Sequence, residues 1–146
     1  MEHRARHEAT LALAVGAGGA IGGGARWLVS QAIADTPGAF PWSTFVENVT
    51  GCLLIGALMA VLLDATEGPL ASPYTRGFLA VGVLGGYTTF STFSVQIVGL
   101  LRVGHGPVAI AYVLASVLVG VLGAWSGLVG TQSVLSARRR RRGGHG

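Results

Sequence analysis

Gly85-Gly86-Tyr87-Thr88-Thr89-Phe90-Ser91-Thr92-Phe93-Ser94, GGYTTFSTFS, interrupts a long apolar run with a glycine pair and five serine and threonine hydroxyls. Glycine is a poor helix former, and Ser and Thr side chains compete for backbone hydrogen bonds, so the stretch predicts a helix broken over residues 85–89 and resumed at Phe90. A break frees carbonyl oxygens, which membrane hydrocarbon tolerates only where they are buried in protein or line a cavity. Freed carbonyls are hard oxygen ligands that a cation satisfies, as at the discontinuous helices of transporters. Phe90 and Phe93, three residues apart, share one helix face. Taken alone they read as packing aromatics; beside Asn and Ser/Thr donors, their positive ring edges attract a small anion.

The surroundings make this a membrane problem. The 146 residues include only ten basic and six acidic side chains, and the mean hydropathy is +0.60. Four apolar runs, about 11–33, 42–63, 77–101 and 107–130, each reach the roughly 20 residues that cross a bilayer as a helix. The expected fold is an all-α membrane protein: a four-helix domain over 11–130, an N-terminal cytoplasmic segment 1–10 and an Arg-rich tail 131–146. The basic start through His7 resembles the charged region of a signal peptide, but the run behind it is too long and contains Arg26. Cys52, the sole cysteine, excludes an internal disulfide and reads as a packing residue. No enzyme is expected, because there is no Ser-His-Asp set or metal-ligand cluster, and His3, His7, His105 and His145 fall in tails or loops.

All ten basic residues are arginine, five of them in the run Arg138 to Arg142. Four spans put Arg4, Arg6, Arg76 and that run on the side of the termini and Arg102 opposite, which orients both termini to the cytoplasm of a multi-pass cell-membrane protein. The run itself reads as a solvated, disordered topology signal. No aromatic interleaves it, so nucleic acid is not an expected partner; lipid is.

The 24 glycines include four-residue tracks, Gly18 with Gly22, Gly19 with Gly23, Gly123 with Gly127, and Ser116-Gly120-Ala124. Small residues at this spacing let membrane helices approach closely, and their surplus suggests an oligomer. Polar groups within spans are costly, so each is a candidate site. Arg26 stands in the first span. Thr44, Asn48 and Gly51 share a face of the second, flanked by Glu47 and Thr50; Tyr112 and Ser116 lie one turn apart in the fourth.

Three motifs, GGAIGGGARW with Arg26, PWSTFVENVTG with Asn48 and Gly51, and GVLGGYTTFSTFS, resemble those of the Fluc/CrcB fluoride ion channels, across residues 16–130. The resemblance implies an antiparallel, dual-topology dimer whose broken third helices cross at its centre. It implies passive export of fluoride that entered the cell as HF, and a structural sodium ion on the backbone carbonyls of Gly85 and Thr88. The implied fluoride pathway comprises Asn48, Phe90, Phe93, Thr92, Tyr112 and Ser116, with Arg26 in an entrance or structural role. Closely spaced donors of this kind would replace the hydration of a small anion and disfavour chloride.

Three features depart from the family pattern. Glu47 replaces a usually apolar residue, and either pairs with Arg26 or snorkels to the interface. Gly120 stands where many members carry a hydroxyl. Eight flanking arginines on one side against one on the other fit poorly with equal insertion in both orientations, so the partner is either an identical copy or an oppositely oriented paralogue. Two other functions compete. A small proton-coupled multidrug exporter needs a membrane carboxylate, for which Glu47 is the candidate, but such carriers typically place it in the first helix. A non-conducting subunit has no need of Asn48, Phe90 and Phe93.

Overall fold

A computed structural model of the chain describes residues 2–65 and 67–143, and every regular element in them is helical. Helix α1 covers Glu2–Ala32 and α2 covers Trp42–Asp64. The third span opens with a 3-10 turn, Pro69–Ala71, then runs through α3 (Pro73–Arg76), a π-helical stretch (Gly77–Leu84) and α4 (Gly85–Tyr87), and resumes as α5 (Phe90–Arg102). Helix α6 covers Gly106–Gly143. Among the described residues, four helices are long and apolar enough to cross a membrane, at residues 4–32, 42–64, 73–102 and 106–141. The chain is a multi-pass membrane protein.

The bundle consists of two tight pairs. Helix α1 lies along residues 73–87, and α2 along α6, while α5 leans on α6. Small residues explain the closeness. A Cβ on Gly86 would stand 2.6 Å from the Gly19 carbonyl oxygen, and one on Gly82 would stand 2.7 Å from that of Val15. In the other pair, Gly56 meets the Ala124 backbone, and Gly127 meets that of Leu53. Of the four-residue tracks, Gly18–Gly22 and Gly123–Gly127 therefore build seams within one chain.

Caps fix the ends. Asp35, in the first loop, accepts from the Ser43 amide at 3.0 Å and the Ser43 hydroxyl at 2.5 Å, placing a carboxylate at the N-terminus of α2, where the helix dipole favours it. Arg76 Nη2 donates to the Leu62 carbonyl at 2.9 Å, covering the C-terminal end of the same helix. Helix α5 closes on Gly104, at φ +80°, with the amides of Gly104 and His105 returning to the carbonyls of Leu101 and Leu100. His105 Nδ1 lies 2.5 Å from the Gly38 carbonyl oxygen, tying the third loop to the first.

Two expectations change. The arginine run does not form a disordered tail through its described residues: α6 continues to Gly143, and Arg139 pairs with Asp64 at the end of α2. Arginine is a good helix former and suits a helix C-terminus, so nothing in the run stops the helix. His145 and Gly144–Gly146 lie outside the described residues. The break is also displaced. Gly85–Gly86 are helical, and the backbone becomes extended at Thr88 (φ −82°, ψ 158°) and Thr89 (φ −146°, ψ 120°).

Candidate functional site

The interruption is made by hydrogen bonds redirected from the helix ladder. Thr89 N–H would return to the Gly85 carbonyl in a continuous helix; instead it donates to Asn48 Oδ1 at 2.9 Å. Asn48 Nδ2 donates to the Thr89 carbonyl at 3.1 Å, so one side chain holds both backbone groups of a buried residue. Thr92 N–H would return to Thr88; it donates instead to Thr89 Oγ1 at 3.2 Å, which caps α5. The carbonyls of Gly85 and Thr88 thereby lose their regular helical donors. Gly51 admits the kink, because a Cβ there would collide with Thr88 Cγ2.

Beside the break opens a cleft of about 440 Å³. Gly85 and Thr88 line it, as do Asn48, Phe90, Phe93 and Ser116, with walls that include Ile55, Ala80, Leu84 and Val117. The Ser116 hydroxyl oxygen is buried without a hydrogen-bond partner. The rings of Phe90 and Phe93 stand 6.0 Å apart, and Phe90 is 80% exposed on the outer flank of the subunit. Apolar walls with a few converging polar groups suit a small, partly desolvated ligand.

Six candidates, Gly85, Thr88, Asn48, Phe90, Phe93 and Ser116, thus meet at one cleft, and four do not line it. Tyr112 is fully buried; its hydroxyl donates to Gln96 Oε1 at 2.8 Å, and its ring supports Phe93 at 4.9 Å. Thr92 is exposed, with its hydroxyl accepting from that of Thr89 at 3.0 Å. Arg26 is half-buried on α1. Glu47 is 2% exposed and faces inward, which excludes snorkelling, and no ion pair joins it to Arg26 among the described residues. Its carboxyl stays buried between helices instead, with Oε1 unpartnered.

Sequence reasoning missed Gln96 and Thr89. Gln96 is a polar residue inside a span, so the rule that singled out Tyr112 applies to it equally. Thr89 lay in the quoted stretch, but nothing local marks it as the residue that Asn48, 41 positions earlier, holds in place. Cys52 lines the same cleft, and its sulfur would stand 3.3 Å from a Cβ on Gly120.

The model of the CrcB-like protein family, described as Camphor Resistance (CrcB), matches residues 13–128. The chain is 46% identical over 92 residues to Fluoride-specific ion channel FluC 2 of Nocardia farcinica, covering 63% of this chain and 64% of that protein. It is 50% identical over 93 residues to Fluoride-specific ion channel FluC of Rhizobium meliloti, covering 63% and 72%. A third relative, Fluoride-specific ion channel FluC 2 of Streptomyces avermitilis, is 43% identical over 98 residues, covering 67% and 60%. The chain thus spans a little under two thirds of the Nocardia and Streptomyces relatives.

Proposed function

The chain belongs to the CrcB family, and from that premise and the cleft beside its broken helix we propose that it is a subunit of a fluoride-conducting channel in the cell membrane. A channel, not an enzyme, is what the family and its relatives' names point to. The observation that carries the reading is the convergence of Asn48, Phe90, Phe93 and the unpartnered Ser116 hydroxyl on one cleft. Fluoride is small and strongly hydrated, so its passage needs donors close enough to replace water. The Ser116 hydroxyl is a free donor. The ring edges of Phe90 and Phe93 add positive potential without adding a charge that would trap the ion. Export is passive, down the fluoride gradient, and lowers the toxicity of fluoride that entered as HF.

A structural sodium ion fits the break. Its ligands would be the Gly85 and Thr88 carbonyls, the two whose regular donors are redirected and which border the cleft. Bound there, it would neutralise their partial negative charge. Two carbonyls make a poor shell for such an ion, and a second chain would supply the others.

The partner is a second subunit inserted in the opposite orientation, laid against the flank where Phe90 is exposed. The charge distribution favours a paralogue over an identical copy. Arg4, Arg6, Arg76 and Arg138 to Arg142 lie on the side of the termini, against Arg102 alone. The number 2 in the names of the Nocardia and Streptomyces relatives supports paired copies.

Fluoride efflux from liposomes holding the pure protein tests the reading. The wild type is expected to release fluoride and Phe93→Ile to abolish release. Equal release from both variants would refute the assignment of Phe93. A folded but silent wild type that conducts when its paralogue is added would establish the paired channel.

A further inference from the structure

Among the described residues, two buried side-chain polar atoms have no hydrogen-bond partner: Ser116 Oγ and Glu47 Oε1. The fluoride pathway gives Ser116 a role and leaves Glu47 without one. Glu47 is 2% exposed within a membrane span, on the face of α2 that also buries Ser43, Thr44 and Gly51. A carboxylate oxygen buried there without a donor is costly, and such groups mark ion or proton sites.

The charged and titratable groups that face it are few. Arg26 on α1, Asp35 in the first loop and Tyr112 on α6 act on it electrostatically. Asp35 is already occupied by the Ser43 amide and hydroxyl. Tyr112 spends its hydroxyl proton on Gln96. At the same end of the bundle, His105 is engaged by the Gly38 carbonyl. No ion pair joins Glu47 to Arg26 among the described residues and Asp35 adds like charge, so an ionised Glu47 has no direct counter-charge.

Its position couples it to the pathway in two ways. The next residue in the chain, Asn48, lines the cleft and holds the break. Tyr112, which senses the charge of Glu47, packs its ring against that of Phe93. We propose that Glu47 is a proton-binding site that sets the conductance: protonated, it leaves the pathway neutral and open to an anion; ionised, it repels fluoride from the adjoining cleft. The step moves one proton between water and the Glu47 carboxyl and changes no other bond. Flux then falls as pH rises. The sign suits the task, because fluoride enters cells as HF and the load grows with acidity.

The inference rests on the fluoride reading for its functional readout, so two measurements are needed. In liposomes, with the protein-free leak subtracted and the paralogue present if required, wild-type flux is expected to fall at least about tenfold from acid to alkaline pH. That is the effect of one unit charge within about 12 Å at an effective dielectric of about 20. Glu47→Gln should keep the high flux at every pH, and Glu47→Asp should restore the dependence. Parallel profiles for wild type and Glu47→Gln would overturn the proposal. Infrared difference spectra between acid and alkaline pH need no transport. They should show the carbonyl band of a protonated carboxylic acid that Glu47→Gln removes, and the absence of that band overturns the proton site by itself. A band without fluoride flux would support the proton site and defeat the fluoride reading.

Discussion

Replacing Asn48 by Ala tests whether the break is held by a side chain on another helix. The substitution removes the acceptor of Thr89 N–H at 2.9 Å and the donor to the Thr89 carbonyl at 3.1 Å. Thr89 is 6% exposed, so both groups lose a partner in a largely buried place. Leaving a buried polar group unsatisfied costs about 1–3 kcal/mol, so the pair costs about 2–6 kcal/mol, at least about thirtyfold in the folding equilibrium. One escape exists: Thr89 N–H can return to the Gly85 carbonyl, which straightens the helix and recovers part of the loss. Asn48→Asp discriminates further, because a carboxylate accepts from Thr89 N–H but cannot donate to its carbonyl. Denaturant titration in bicelles, with amide exchange at Thr89, checks both variants. The expected result is destabilisation in the order Ala greater than Asp, with faster exchange at Thr89. Unchanged midpoints and unchanged Thr89 protection in Asn48→Ala would refute the reasoning, because the kink would then be intrinsic to residues 88–89.

Other expectations concern seams, caps and the cation. Gly86→Ala drives a Cβ to 2.6 Å from backbone and should cost about 1–3 kcal/mol as overpacking, whereas Gly16→Ala, with nothing within 4 Å, should gain about 0.5–1 kcal/mol; the same bicelle titration reads both, and equal effects would count against the seam. Asp35→Ala, which removes both acceptors of Ser43, should cost about 1–2 kcal/mol, the scale of a lost N-cap. Exchanging sodium for a large organic cation should loosen subunit association, measured by single-molecule photobleaching, while leaving each subunit's helicity unchanged by circular dichroism; association indifferent to sodium would remove the ion from the proposal.

The four spans and the interrupted third were legible because bilayer thickness and the helix ladder leave a chain few choices. The seat of the break was not. Glycines signal a break by their low helix propensity, yet Gly86 stays helical and serves as a contact, since Gly19 needs its bare face. Where water is absent, the ladder yields only where another group takes over its bonds, and that group, Asn48, is remote in sequence. Glu47 misled for a related reason. Depth alone places Arg26 beside it, but an ion pair is settled by where the side chains turn, which residue spacing along two different helices does not encode. The six residues that meet at the cleft were legible as chemistry, whereas Gln96 holds Tyr112 and Thr89 is held by Asn48, through contacts that exist only after packing.

The grip of Asn48 on Thr89 also dictates an order of assembly. Before α2 is docked, hydrocarbon offers Thr89 N–H no acceptor except its own helix, so residues 73–102 must enter the bilayer as an uninterrupted rod. The bend is thus acquired rather than inherited. The Gly85 carbonyl is released only where docking of α2 has brought Asn48 to Thr89, whereas the Thr88 carbonyl is released locally, by the Thr89 hydroxyl that caps α5.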